Sequence, residues 1–153
     1  MLGVKLKRRM ATIKISIIIP TLNRSHLLRR CLLSLVAQTF DRASFEILVI
    51  DNGSKDRTKN LTFDFISKFP EFNIRYIFEK NTSSSSARHR GVFESTGETL
   101  VFVDDDIEAD SNWLKAINQS FQDSSVQLVG GRNLPKYESP PPDWINKMWE
   151  ENT

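Results

Sequence analysis

Cysteine is almost missing: Cys31 stands alone among 153 residues, which excludes an internal disulfide framework and any cysteine-based zinc site. Long apolar runs are missing too. No stretch approaches the roughly 18 consecutive apolar residues that a membrane-spanning helix needs. Charge of one sign is not in excess, since 21 basic against 19 acidic residues leave +2. That balance gives no reason to expect nucleic acid or another polyanion as partner. Neither G-x-x-x-x-G-K-[ST] nor G-x-G-x-x-G occurs, which disfavours a P-loop nucleotidase and a nicotinamide dehydrogenase. Glycine and proline number six each, with 39% apolar and 26% charged residues, so disorder, collagen and coiled coil are excluded. A chain of about 150 residues buries roughly 68–70% of its unfolded surface, enough for one domain with its own core.

Residues 1–14 form a basic leader containing Lys5, Lys7, Arg8 and Arg9. It resembles the start of an export signal, but Lys14 and Ser16 break the apolar run that follows. Pro20 and Asn23 then stand where small cleavage-site residues would be. The expected setting is therefore cytoplasmic and reducing. The leader can still be drawn weakly to the anionic inner face of a membrane, at about 1 kcal/mol per basic residue.

Short β-branched runs alternate with helical periodicity. Ile13 to Ile19 reads as a buried strand, and Leu27, Leu28, Cys31, Leu32, Leu35 and Val36 share one helical face. Cys31 therefore reads as core, and Asn23 or Ser25 as the cap of that helix. Phe45 to Ile50, Ile74 to Phe78, Leu100 to Val103 and Val126 to Val129 read as further strands. Thr58 to Phe69, Ala87 to Ser95 and a segment around Trp113 to Phe121 read as helices. Asn81 to Ser86 reads as a polar loop. The alternation predicts an α/β fold, a Rossmann-like and mainly parallel sheet flanked by helices. After Arg132, Pro135, Pro140, Pro141, Pro142, Trp144 and Trp149 mark a change of composition without an obvious closing element.

Polar clusters stand at the carboxyl ends of three strands, the edge where ligands bind in such sheets: Thr21–Asn23, Asp51–Ser54 and Asp104–Asp106. Three adjacent aspartates repel one another unless a positive group is shared, and a hard divalent cation suits carboxylate oxygens. The plainer reading is a solvated acidic turn in which Asp106 or Asp110 caps the next helix. Asp51 either accepts from a base or ribose or simply shapes its turn, while Ser54 and Asp56 fit helix caps. Arg88 and Arg90 either hold a phosphate or face solvent. Gly91 suits a close helix approach, and His26 and His89 suit structural roles.

Taken together, Ser16–Arg24, Val49–Thr58, Ala87–Gly91, Gly97–Glu98 and Phe102–Asp106 resemble the family-2 glycosyltransferases of the GT-A fold, over residues 15–132. The resemblance implies that 15–132 is a nucleotide-sugar donor domain and 133–153 the start of an acceptor-side region. Pro20, Thr21 and Asn23 would line the nucleotide pocket with the Asp51–Gly53–Ser54 turn, Asp51 meeting the base. Arg88 would hold base or diphosphate, and Asp104 and Asp105 would approach ribose and sugar. Asp106, aided by Asp104, would hold Mn2+ or Mg2+ with the diphosphate. The implied reaction transfers a sugar from a UDP-sugar to a hydroxyl of a glycan, lipid or protein acceptor, with inversion.

Two departures from the family pattern are His89, where asparagine is usual, and Ile107, where many members carry another aspartate. A third concerns the general base that inverting members carry well downstream. Among the later acids, Asp110, Asp123, Glu138, Asp143, Glu150 and Glu151 do not stand in a matching motif. The expectation is that the base is absent and that the fold is incomplete at its C-terminal end. The alternative function is then a truncated fragment that binds nucleotide sugar without transfer. Nucleotidyl transfer also uses aspartates and metal on an α/β sheet, but the Pro20–Asn23 and Asp51–Ser54 turns argue against it.

Overall fold

The computed structural model describes residues 13–137 and 139–150. Most of the basic leader, residues 1–12, lies outside the described residues, as do Glu138 and Glu151. Four strands form one parallel sheet: β1 (Ile15–Thr21), β2 (Phe45–Asp51), β3 (Asn73–Phe78) and β4 (Thr99–Phe102), in the order β3-β2-β1-β4. Helices α1 (Ser25–Val36), α2 (Thr58–Lys68) and α3 (Ser84–Glu94) make the crossovers. α4 (Trp113–Ser120) and α5 (Asp143–Glu150) follow. Among the described residues, no helix is long and apolar enough to cross a membrane.

Side chains along β1 alternate between two cores, as strand geometry requires. Ile15, Ile17 and Ile19 pack with Leu28, Cys31, Leu32, Leu35, Phe65 and Leu114 on the face covered by α1, α2 and α4. Ile18 packs with Leu48, Ile50, Ile77 and Ala87 beneath α3. Burial on both faces explains the continuous apolar runs Ile17–Ile19 in β1 and Ile47–Ile50 in β2. Gly91 lets α3 approach closely, because a Cβ there would collide with Ile18 Cγ2. At Gly97, before β4, a Cβ would lie 2.7 Å from the Ser16 backbone nitrogen.

β1 runs one residue beyond Pro20. Pro20 pairs with Ile50 of β2, while β4 accompanies β1 only as far as Ile18↔Phe102, so the missing amide interrupts no ladder with β4. The order reverses here: from β1 the path moves outward through β2 to β3, then returns to place β4 on the opposite side of β1. That reversal opens a crevice between the ends of β1 and β4.

Several local expectations are corrected. Val126–Val129 is not a strand. The sheet ends at β4, and a strand forms only where a neighbour shares its ladder bonds. α3 begins at Ser84, three residues early, because Ser83 caps it by accepting from the Ser86 amide at 3.0 Å. Neither Asn23 nor Ser25 caps α1 with its side chain. The Ser25 amide donates instead to Asp56 Oδ2 at 2.9 Å, a carboxylate 31 residues away. Asp56 Oδ1 also accepts from the Thr58 amide at 2.9 Å and hydroxyl at 2.6 Å, so one side chain serves the starts of α1 and α2. Ser54 caps neither helix. Asp110, not Asp106, accepts from the Asn112 amide at the start of α4.

Candidate active site

The loop after β4 carries Asp104–Asp106 and is pinned against α1. The Ala109 amide donates to Ser34 Oγ at 3.0 Å, and the Cys31 thiol lies 3.8 Å from the Asp104 carbonyl. Gln38 Nε2 donates to the Asp110 carbonyl at 2.6 Å, while its Oε1 accepts from the Leu114 amide at 3.0 Å. Burial, then the negative charges of Asp105, Asp106 and Asp104, push the Cys31 thiol up to about 12. It stays protonated and is core, as its helical face implies.

In this loop the aspartates alternate in exposure. Asp104 and Asp106 are exposed, whereas Asp105 points inward and is 3% exposed. Thr21 Oγ1 donates to Asp105 Oδ2 at 2.7 Å, and Arg24 Nη1 donates to Oδ1 at 3.2 Å. The same Arg24 nitrogen lies 3.5 Å from Asp106 Oδ2, and Arg88 Nη2 donates to Asp104 Oδ1 at 2.7 Å. Two arginines thus offset the mutual repulsion of three carboxylates.

Pro20, Thr21, Arg88, Asp104, Asp105 and Asp106 line one cavity of about 460 Å³ at the reversal point. Leu22, Arg24, Asn52, Thr82–Ser84 and Ala87 complete its wall, none of them assigned a site role by the residue pattern. The start of α3 therefore faces the cavity, presenting its backbone N–H end and partial positive charge.

Asn23, Asp51, Gly53 and Ser54 do not line the cavity; they lock its two turns together. The Asn23 amide donates to Ser54 Oγ at 2.9 Å, and Asn23 Oδ1 accepts from the Lys55 amide at 2.7 Å. Asn23 holds φ +56 and Gly53 φ +93, the left-handed region that asparagine and glycine tolerate best. Asp51 is 1% exposed. Its Oδ1 accepts from the Ser54 amide at 2.8 Å and its Oδ2 from the Tyr76 hydroxyl at 2.7 Å. Burial, with Asp51 beside it, raises the Tyr76 phenol far above its ordinary value, so it remains a donor.

Elsewhere, Ile107 packs against the main core, which accounts for an apolar residue directly after the aspartates. His26 and His89 are exposed, and Arg90 pairs with Glu94 at 2.8 Å along α3. A larger hollow of about 850 Å³ lies along β4, between Leu100, Phe102, Trp113, Phe121 and Leu128. Among the described residues Glu98 is its sole charged lining residue, so it lacks the groups that the strand ends assemble.

A parallel sheet whose order reverses beside an acidic, arginine-paired crevice invites comparison with known proteins. A profile of the family described as Glycosyl transferase family 2 matches residues 16–152. The chain belongs to this family. The glycosyltransferase AglE of Haloferax volcanii is 33% identical over 117 residues, 76% of this chain and 38% of AglE. Residues 1–349 of TarS from S. aureus superpose with a TM-score of 0.65 at 25% identity, over 81% of this chain and 39% of that one. TarS is known in complex with UDP and with UDP-GlcNAc. The mannosyltransferase PcManGT of Pyrobaculum calidifontis, solved with GDP-Man and Mn2+, shares the fold with a TM-score of 0.62 at 23% identity. It matches over 66% of this chain and 32% of its own. The sheet and flanking helices are those of a GT-A glycosyltransferase, and the chain spans less than two-fifths of either AglE or TarS 1–349.

Proposed function

We propose that residues 15–132 bind a nucleoside diphosphate sugar in the crevice between the ends of β1 and β4, as the donor half of an inverting glycosyltransferase. The observation that carries this reading is the convergence of Thr21, Arg88 and Asp104–Asp106 on one cavity. TarS, with its UDP and UDP-GlcNAc complexes, makes a UDP-sugar the first donor to test. The base would lie toward the turn held by Asp51 and Ser54. Contact with Asp51 would require that enclosed carboxylate to exchange one of its internal bonds. The diphosphate would lie between the start of α3 and Arg88, where backbone amides and a guanidinium suit phosphate oxygens.

The donor set fits a divalent cation. Asp104 and Asp106 are exposed carboxylates on one wall of the cavity, each paired with an arginine that water or a metal cation can replace. Magnesium or manganese commonly takes one or two such carboxylates and completes its shell from phosphate and water. Asp106 would hold it with Asp104, and it would act as a Lewis acid for the departing diphosphate. Asp105 keeps the loop in place through Thr21 and Arg24. In the reaction, the acceptor oxygen bonds to the anomeric carbon as the bond to the nucleotide phosphate breaks, and the acceptor proton passes to a base.

A second reading, donor binding without transfer, draws on one observation. Of the acids that follow Asp106, Glu108, Asp110, Asp123 and Asp143 do not line the cavity. We assign 133–153 to the acceptor side, where Lys136 Nζ meets Glu108 Oε2 at 2.7 Å and ties the segment to the loop after β4. The setting we assign is cytoplasmic, with the leader toward an anionic membrane face.

The test measures UDP binding with Mn2+ by calorimetry, then UDP release from a panel of UDP-sugars with and without acceptors. Manganese-dependent binding, abolished in Asp106→Ala, supports the donor site. Release decides for transfer, and tight binding without release under any condition decides for the second reading. No binding of any nucleotide would overturn both.

A further inference from the structure

Arg24 is the wall residue whose position asks for a role of its own. It stands at the junction of the left-handed Asn23 and the first turn of α1, and its Nη1 reaches both Asp105 and Asp106. The two contacts differ in kind. Asp105 has a side chain 5% exposed, and its other oxygen is held by Thr21, so loss of Arg24 would leave an enclosed carboxylate short of a partner. Asp106 is 49% exposed and 3.5 Å away, a loose surface pair that solvent or another cation can replace at little cost. A guanidinium keeps its charge at any working pH, so one positive charge always stands beside Asp106.

We infer that Arg24 is a positioning residue that competes with the divalent cation for Asp106. It yields that carboxylate as metal and nucleotide arrive, keeps its hold on Asp105, and turns its freed positive charge toward the diphosphate. The inference rests on the donor-site reading above. It carries a signature of opposite signs. Removing the charge takes away a competitor of the bare metal, so Mn2+ alone binds more tightly. The same change removes a cation facing the diphosphate, so UDP binds more weakly. A residue that merely held the loop in shape would weaken both when lost.

The experiment uses the full chain with two probes: Mn2+ alone, followed by the paramagnetic resonance signal of free aquo-Mn2+, and UDP at saturating Mn2+, followed by calorimetry. Arg24→Gln retains a donor for Asp105 but no charge, and Arg24→Lys retains the charge on a different head group. Arg24→Gln should tighten Mn2+ by about two- to fivefold, the scale of one partly screened charge pair. It should weaken UDP by about tenfold, the scale of one charged hydrogen bond. Arg24→Lys should return both constants toward wild type. If Arg24→Gln weakens both ligands or leaves Mn2+ unmoved while wild type binds both, the role of Arg24 is overturned and the donor site stands. If wild type binds neither Mn2+ nor UDP, the donor-site reading falls and takes this inference with it.

Discussion

The hydroxyl of Thr21 donates to the carboxylate of Asp105 across 2.7 Å, joining the end of β1 to the loop after β4 over 84 residues of sequence. Both residues are buried, at 4% and 3% exposure, so this bond sets the spacing of the two walls of the crevice. Thr21→Val keeps the shape and removes the donor. It should cost roughly 1–3 kcal/mol, the penalty of leaving a buried acceptor short of a partner. Urea unfolding would read that loss, and Thr21→Ser should recover most of it. UDP affinity should fall in Thr21→Val and survive in Thr21→Ser, because the displaced loop carries Asp104 and Asp106.

Gly91 controls a second dimension of the site, the distance of α3 from the sheet. A methyl group there meets Ile18 Cγ2, which is fully buried and cannot move aside. Gly91→Ala should therefore destabilise the protein by about 1–3 kcal/mol, the usual range for an overpacked core, despite alanine's better helix propensity. Since α3 also bears Arg88 and the cavity-facing Ser84, nucleotide binding should weaken in the same variant. Pairing it with Ile18→Ala, which removes both γ carbons, should make the Gly91→Ala change cost less than it does beside isoleucine, measurable as a coupling energy in a double-mutant cycle.

The sheet and its flanking helices were legible because β-branched runs bounded by polar turns report burial directly, as in Ile15–Ile19 and Phe45–Ile50. The acidic wall was legible for the same reason: Asp104–Asp106 follows β4 after the single buried residue Val103. The missed features depend on what lies across the fold. Val126–Val129 has strand composition but forms no ladder with the free edge of β4. The start of α1 is capped from Asp56, which no local pattern around Ser25 reveals. Asn52 and Thr82–Ser84 join the cavity wall because the loop after β3 folds back, with Asn52 Nδ2 donating to the Asn81 carbonyl at 2.8 Å. Arg24 belongs to a quoted motif, yet its position between Asp105 and Asp106 emerges only once β4 lies beside β1.

At the opposite end of the sheet, Glu46 is buried and heavily hydrogen-bonded. Burial acts to raise its carboxyl. Bonds from Ser16, the Thr96 amide and hydroxyl, and Arg75 outweigh burial and hold it below its ordinary 4.5. At Asp56, burial is likewise outweighed by bonds from Thr58 and Ser25, which bring it from 3.8 to about 2. Both groups therefore take up a proton on unfolding in acid. Their stabilisation is complete above the ordinary carboxylate range and disappears as pH falls through the folded values. Urea midpoints should drop steadily from about pH 5 to about pH 2. Glu46→Gln should be less stable at neutral pH but show a shallower acid decline, leaving the portion due to Asp56. An unchanged slope would show that Glu46 does not carry the linkage.

Asn23 offers a way to separate backbone strain from side-chain bonding in the turn that carries Arg24. Its φ of +56 costs a β-carbon residue roughly 1–2 kcal/mol, a cost that asparagine reduces by local hydrogen bonding and glycine avoids. Its Oδ1 also accepts from the Lys55 amide, tying the turn after β1 to the turn after β2. Asn23→Ala loses both the conformational tolerance and the bond, whereas Asn23→Gly loses only the bond. Alanine should therefore be the less stable variant by about 1 kcal/mol, the left-handed penalty alone. Amide hydrogen exchange at Lys55 should quicken in both, because both remove its acceptor. Equal stability of the two variants would mean that the Lys55 bond, rather than the dihedral angle, governs this turn.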